Sequence, residues 1–145
     1  MILTTLEGYA IKALMYIAIK EDKKATVSEI ARSNNVSFPY ILRICALLRA
    51  YGILESEKGR GGGYILVRDA KSITLLEIIK AVGREGLEIK CEFGKKTEKC
   101  KPSDCISLHS LEFLRIELDK FLSKITLQDL IERRKTYANL TNTGH

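Results

Sequence analysis

The sequence lacks the features that mark several common classes of protein. It has no apolar run long enough to cross a bilayer, so we expect no membrane partner. Its first residues, MILTTLEGYA, lack the basic start of a signal peptide, and we therefore expect a cytoplasmic protein. It also lacks a nucleophile elbow, a pair of catalytic carboxylates and a phosphate-binding loop, since no Lys-Ser/Thr pair follows the glycines of Gly59–Gly63. These absences predict that the chain is not an enzyme.

What the sequence does have is an excess of positive charge on a chain of modest length. Its 145 residues suffice for one domain with an extension, and a hydrophobic content of 46% is ample for a core. The net charge is +6. Residues 1–71 carry 11 Lys and Arg against 7 Asp and Glu, or +4, and residues 72–145 carry 13 against 11, or +2. This excess suits a polyanionic partner, and the first half of the chain carries more of it.

Residues 26–52 have the pattern of a helix-turn-helix motif. Thr26 and Glu29 form a capping box, which predicts that a short helix starts there, and two asparagines then interrupt it. Ser37 can cap a second helix, which Gly52 ends. One face of this second helix is predicted to be apolar at a spacing of 3.6 residues per turn. That face comprises Ile41, Ile44, Cys45 and Leu48.

Two apolar runs around a glycine cluster follow the helix-turn-helix. Ile53–Lys58 and Tyr64–Arg68 are predicted to be strands, joined by Gly59–Gly63 in a loop longer than a tight hairpin turn. A helix-turn-helix followed by a basic β-ribbon is the plan of a winged helix-turn-helix. We therefore predict a DNA-binding domain of this type in residues 1–72.

Two groups of residues are expected to contact double-stranded DNA. The first group lies near the start of the second helix, where Tyr40 and Arg43 are predicted to face solvent, and the second lies in the wing, where glycines let the backbone approach phosphates or a minor groove. These residues are Ser37, Tyr40, Arg43, Lys58, Arg60 and Gly61. The alternative is an α+β scaffold that binds no DNA. The charge and position of the exposed residues favour DNA binding.

Residues 73–134 are predicted to hold a cysteine loop and the helices of a dimer, followed by a polar tail in residues 135–145. A long helix is predicted from Asp104, with a heptad seam whose members recur at gaps of three and four. The seam comprises Leu111, Leu114, Leu118, Phe121 and Ile125. Because Phe113 and Ile116 lie off the seam, the helix is expected to have two apolar surfaces. A two-fold operator requires a two-fold protein, so we expect a homodimer; the alternative is packing within one chain.

A lysine-rich segment, Lys90–Lys101, begins the region in which three of the four cysteines lie, spaced C-x8-C-x4-C. These are Cys91, Cys100 and Cys105. Thiolates bind soft metals and iron–sulfur clusters, and neighbouring lysines favour the thiolate by lowering the thiol pKa. His109 follows Cys105 by four residues, so the two share one face of the long helix. The spacing matches no CxxC zinc pattern, and metal binding and thiol redox chemistry both remain open. Cys45, in contrast, is predicted to be a core residue.

Several motifs together resemble the IscR/NsrR-type family of bacterial winged-helix transcriptional regulators that bind an iron–sulfur cluster. The resemblance covers about residues 1–134 and rests on the segments YAIKALMYIA, VSFPYILRICALLRAYGILES, GRGGGYIL and FLSKITLQDLI together with the three clustered cysteines. It implies a fold that is mainly α with a small β-wing, a winged helix-turn-helix plus a long dimerisation helix. It also implies a homodimer whose affinity for a DNA operator is controlled by the cluster.

The resemblance further implies the ligands of that cluster, which is of the 2Fe–2S or 4Fe–4S type. Cys91, Cys100 and Cys105 occupy the positions of the cysteine ligands. The family takes its fourth ligand either from a histidine after the third cysteine or from an acidic residue of the first helix, which implies His109 or Glu7 in this chain. Two alternative functions remain, a metal-free thiol-redox regulator and a zinc-stabilised one, because the fold does not itself require a cluster.

Overall fold

The protein is described by a computed structural model, which covers residues 5–83 and 106–142 apart from the side chains of residues 106–109, 137 and 139–142. It is mostly helical, with one small antiparallel sheet, as the sequence predicts. The helices α1–α6 are Thr5–Ile19, Val27–Asn34, Phe38–Ala50, Leu75–Val82, Ile106–Lys124 and Leu127–Asn142, and the strands β1–β3 are Lys24–Ala25, Leu54–Glu57 and Gly63–Leu66. Within the described residues, no helix is both long and apolar enough to span a membrane.

Helix α1 lies at the centre of the fold and contacts α2, α3, α4 and α6 as well as β1 and β3. Four of its side chains are fully buried, namely Ala10, Ala13, Leu14 and Ile17. The two alanines let neighbouring helices approach closely, while the larger Leu14 and Ile17 fill the space between them. Burying each of these larger side chains stabilises the fold by about 1.5–3 kcal/mol.

The helix-turn-helix begins at the capping box predicted from the sequence. The amide of Thr26 donates to Glu29 Oε2 at 2.7 Å, and the amide of Glu29 donates to Thr26 Oγ1 at 3.2 Å. A hydrogen bond from Lys20, followed by those from Thr26, lowers the pKa of Glu29 to about 2. Asn35 ends α2 in the left-handed conformation with φ 52°, and the next amide, of Val36, donates to the Ala31 carbonyl at 3.0 Å. These contacts fix the turn from which α3 departs.

The sheet has three strands in the order β1-β3-β2, one more than the sequence predicts. In the additional strand β1, Lys24 and Ala25 pair with Ile65 and Tyr64 of β3. The close approach depends on Gly63, where an added Cβ would lie 2.6 Å from the Ala25 carbonyl oxygen. The pattern of side chains does not reveal β1, because two residues are too few to show an alternation.

The second half of the described chain is joined to the first by backbone hydrogen bonds. The amide of Leu75 donates to the Ile125 carbonyl and that of Leu127 to the Ile73 carbonyl, both at 2.8 Å. Capping boxes start α4 at Thr74 and α6 at Thr126. Residues 70–72 form a 3-10 turn, and α6 continues to residue 142, although a polar tail is predicted from residue 135.

Helix α5 packs on its own domain through a residue outside the predicted seam. Leu122 is buried against Leu75 and Ile79 of α4. Leu118 and Ile125 of the seam are half-buried, whereas Leu114 and Phe121 are exposed. The intrachain contact and the predicted seam therefore use different, partly overlapping faces of the same helix.

We expect Gly63→Ala to destabilise the protein by about 1–3 kcal/mol, because the added methyl group forces the backbones of β1 and β3 apart. Urea unfolding followed by circular dichroism measures this change. Gly8→Ala in α1 is the matched control, since an added Cβ there meets nothing within 4 Å, and Ala is favoured in a helix by about 0.5–1 kcal/mol. Equal stability of Gly63→Ala and the unmodified chain would contradict the role given to this glycine.

Candidate DNA interface and cysteine segment

Helix α3 presents one face to the core and the opposite face to solvent. Ile41, Ile44, Cys45 and Leu48 are fully buried, as the sequence predicts. The exposed residues on the other side of the helix include Phe38, Leu42, Arg43, Ala46 and Arg49. Because the buried face holds α3 against the rest of the domain, the exposed face is presented rigidly. An α-helix with such a face fits the major groove of B-DNA.

Two residues near the start of α3 differ from their sequence predictions. Ser37 is the N-cap, but its side chain makes no capping hydrogen bond, so its exposed hydroxyl is left to other partners. The prediction that Tyr40 faces solvent is wrong, because its ring is half-buried and meets Tyr9 of α1 edge-on, with centroids 5.9 Å apart. Any DNA contact by Tyr40 therefore involves only the part of its side chain that stays exposed.

Arg43 is exposed, as the sequence predicts, and Arg49 is an exposed cation that the sequence reasoning missed. The helical spacing of the four buried residues of α3 places Arg49 outside the buried face. The same spacing could therefore have identified Arg49 as exposed. The two arginines lie at different edges of the exposed face, about a third of a turn apart at 100° per residue. Their separation lets them contact different parts of a bound duplex.

The wing is a glycine-rich loop between β2 and β3. Gly59 and Gly61 have positive φ values of 102° and 73°, which L side chains rarely adopt, and the amide of Gly62 closes the loop onto the Gly59 carbonyl at 3.0 Å. Lys58 and Arg60 are exposed beside these glycines. The loop therefore carries two cations on a backbone with few side chains, which suits contact with phosphates or entry into a minor groove.

The wing is attached to β1 by an ion pair. Lys24 Nζ lies 2.6 Å from Glu57 Oε2 and links the outer strands of the sheet. This pair is partly exposed and is worth at most about 1 kcal/mol. Because Glu57 pairs with Lys24, it does not neutralise the neighbouring charges of Lys58 and Arg60.

The predicted cluster ligands Cys91, Cys100 and Cys105 lie outside the described residues, as does the side chain of His109. Among the described residues, no group of three or more His, Cys, Asp and Glu side chains could hold a metal ion. Cys45 does not belong to such a site, because it is fully buried and burial raises the pKa of its thiol to about 12. Its assignment to the core is confirmed.

Glu7 is the one predicted ligand whose side chain is described. It projects from the first turns of α1 to the end of α4, where a Cβ added to Gly83 would lie 2.8 Å from Glu7 Oε1. Gly83 immediately precedes residues 84–105, which contain the three clustered cysteines and are called the cysteine segment below. The fold therefore brings an α1 carboxylate to the point at which the chain leaves α4 for the cysteine segment.

Comparison with known families matches almost the whole chain to transcriptional regulators. The Rrf2 family model, described as an iron-dependent transcriptional regulator, matches residues 3–133. A putative HTH-type transcriptional regulator of Haemophilus influenzae is 32% identical over 91% of this chain and 87% of its own length. The HTH-type transcriptional regulator IscR of Xenorhabdus nematophila is 31% identical over 92% of this chain and 80% of its own length.

Solved structures share the fold. CymR, the global cysteine regulator of B. subtilis, superposes with a TM-score of 0.73 at 22% identity, over 92% of this chain and 98% of that one. IscR of T. potens superposes with a TM-score of 0.70 at 24% identity, over 92% of this chain and 88% of that one. The winged-helix fold predicted from the sequence is thereby confirmed.

The exposed arginines lead to a direct test of the interface. We expect Arg43→Ala and Arg60→Ala each to weaken binding to a selected DNA duplex by roughly 1–3 kcal/mol, since each removes a charged contact. The affinity of the unmodified chain should fall steeply as salt rises, because phosphate contacts release counterions. Fluorescence anisotropy with a labelled duplex, recovered from a random pool by the unmodified protein, measures both effects.

Arg134→Ala is the matched control, because this arginine is exposed on α6 rather than on α3 or the wing. It should bind DNA like the unmodified chain. Full affinity in the Arg43→Ala/Arg60→Ala double variant, or binding that is insensitive to salt, would contradict the assigned interface.

Proposed function

This chain belongs to the Rrf2 family of transcriptional regulators, and we propose that it binds its DNA operator as a homodimer whose affinity is controlled by an iron–sulfur cluster. Its IscR-like relatives are regulators and not enzymes, which confirms both the resemblance and the absence of catalysis expected from the sequence. The observation that carries the DNA-binding part of the proposal is that both α3 and the wing present exposed cations, Arg43 and Arg49 on α3 and Lys58 and Arg60 on the wing. In a two-fold dimer, two such faces would meet successive half-sites of an operator.

The exposed apolar residues of α5 support the homodimer. Phe113 is 66% exposed, Phe121 60% and Leu114 49%, although all three are large apolar side chains on one helix. Leaving such a surface in water is unfavourable, and contiguous exposed apolar surface typically marks an interaction site. A second copy of α5 offers the same residues and forms an isologous contact.

The donor atoms that this chain contains fit an iron–sulfur cluster. Cys91, Cys100 and Cys105 supply thiolates, the usual ligands of such clusters, and lysines in the same segment favour the thiolate form. The carboxylate of Glu7 beside Gly83 supports Glu7 as the fourth ligand, with His109 as its competitor. A bound cluster would link the cysteine segment to Glu7, and this link would be sensitive to the redox state of the cluster.

A metal-free thiol switch is the second candidate. The fold is shared with CymR of Staphylococcus aureus, of which a structure of the oxidized form is known. A shared fold does not fix the chemistry of a site, so the same three cysteines could form disulfides instead of binding a cluster. A zinc-stabilised regulator is the remaining alternative. Metal and sulfide analysis distinguishes all three, because only a cluster contains both iron and acid-labile sulfide.

We expect the Cys91→Ser/Cys100→Ser/Cys105→Ser variant, purified without oxygen, to lack the visible absorbance, iron and sulfide of the unmodified chain. It should remain folded and dimeric, because none of the three cysteines belongs to an apolar periodic segment. Cys45→Ala is the matched control and should keep the cluster at a modest loss of stability, since it deletes one small buried group. If the reconstituted unmodified protein bound neither iron nor sulfide, the cluster proposal would fail.

The same preparation distinguishes the two candidates for the fourth ligand. Glu7→Ala should shift the absorbance spectrum and speed the loss of the cluster, whereas His109→Ala should leave both unchanged. Glu55→Ala, which removes an exposed carboxylate from β2, is the control for charge. The reverse result for Glu7 and His109 would assign the ligand to the histidine.

We expect Leu114→Asp and Leu118→Asp to prevent dimer formation while the circular dichroism of the helices is retained. A carboxylate in the seam would be desolvated on association, which is costly, whereas at the exposed position of Leu114 it stays hydrated in the monomer. Leu118 is half-buried within its own chain, so Leu118→Asp counts as a test only if its circular dichroism is unchanged. Light scattering at several concentrations measures the mass. Ser123→Asp adds the same charge at an exposed polar position of α5 and should remain dimeric. A monomeric mass for the unmodified protein would refute the dimer.

A further inference from the structure

The exposed face of α3 carries two large apolar side chains. Phe38 is 48% exposed and Leu42 is 43% exposed. They are four residues apart and therefore adjacent on the helix, and the exposed Ala46 continues the same line. We call Phe38, Leu42 and Ala46 the apolar ridge of α3.

The ridge is not needed to complete the hydrophobic core. Helix α3 already contributes four fully buried side chains to the core from its opposite face. Phe38 and Leu42 instead stand among cations, with Arg49 at the end of the same line and Arg43 at the other edge of the exposed face. Lys58 and Arg60 of the wing add two more exposed cations. An apolar strip within a cationic surface fits a polyanion that itself displays apolar groups.

Duplex DNA is a polyanion, and in its major groove one base, thymine, displays an apolar group. In the major groove, the C5-methyl group of thymine is the apolar group that distinguishes its base pair, and small apolar and aromatic side chains pack against it. The neighbouring arginines fit the phosphates, whose contacts position the helix. The chemistry of the ridge therefore complements a half-site that contains thymine.

We propose that Phe38 and Leu42 determine sequence preference by packing against thymine methyl groups in the major groove of the operator. The inference rests on the proposed function, since it requires that α3 enters the groove of a DNA duplex. It assigns specificity to apolar side chains, while Arg43 and Arg49 supply affinity and orientation. The ridge thus selects for thymine without a hydrogen bond to the base edge.

Replacing thymine with deoxyuridine tests this inference, because the exchange removes the methyl group and leaves the base-pairing edge unchanged. A duplex is first selected from a random pool with the unmodified, full-length protein. Each thymine of one half-site is then replaced in turn, and Kd is measured by anisotropy at fixed salt. One buried methyl group corresponds to about a four-fold change in Kd. We expect a loss of this size at one or two positions.

Two variants connect that loss to the ridge. Phe38→Ala and Leu42→Ala should bind the thymine duplex more weakly and should each lose the sensitivity to deoxyuridine at one position. Val67→Ala is the matched control, because Val67 is 50% exposed but belongs neither to α3 nor to the wing and lines a cavity together with Gln128 of α6. It should retain the full sensitivity. Thermal unfolding followed by circular dichroism establishes that each variant is folded.

The possible outcomes separate this inference from the proposed function. If no duplex is selected and none is bound, the DNA-binding function itself fails. If a selected duplex is bound but deoxyuridine has no effect at any position, the function stands and the inference is overturned. It is equally overturned if Phe38→Ala and Leu42→Ala keep the full deoxyuridine effect, since the methyl groups would then be read by other residues.

Discussion

The burial of helix α1 at the centre of the domain is the constraint on which the other features depend. One face of α1 is fully buried among α2, α3, α4 and α6, so the positions of these helices are determined by a single shared surface. Two consequences follow for function. The apolar face of α3 is held inward, which leaves Arg43 and the apolar ridge outward, and the first turns of α1 bring Glu7 to Gly83 at the end of α4. The candidate DNA interface and the start of the cysteine segment are therefore both positioned by α1.

Under the proposed function, this arrangement would couple the cysteine segment to the candidate DNA interface. Helix α4 contacts α1, α3 and α5, so it lies between the proposed recognition helix and the proposed dimer helix. A ligand that ties Glu7 to the cysteine segment would act at the junction of α1 and α4. A small change there would alter how the two α3 helices of a dimer are spaced, and operators with fixed half-site spacing are sensitive to that distance.

Local signals in the sequence predicted much of the fold. The capping box at Thr26 needs only two residues that are three apart, and it is present. The buried face of α3 follows from helical spacing alone. The failures involve partners distant in sequence. The ring of Tyr40 is partly covered by Tyr9 of α1. Strand β1 forms by pairing with β3, whose Gly63 allows the two backbones to approach closely.

The candidate site was predictable to a similar extent. Exposure of Arg43, Lys58 and Arg60 follows from spacing and loop position, whereas the approach of Glu7 to Gly83 depends on how α1 crosses α4. The exposed pair on α3 escaped prediction because Phe38 and Leu42 are apolar, and apolar residues are usually assigned to the core. The ligand roles of Cys91, Cys100 and Cys105 stay predictions from the family resemblance.

The central claim is that a cluster held by these cysteines controls DNA binding. Its most direct test is the operator affinity of one anaerobic preparation, measured before and after the cluster is removed by chelation, with iron and sulfide assayed in both samples. The account predicts that loss of the cluster changes Kd by at least about ten-fold, a coupling free energy of about 1.4 kcal/mol. The same Kd with and without the cluster would contradict it.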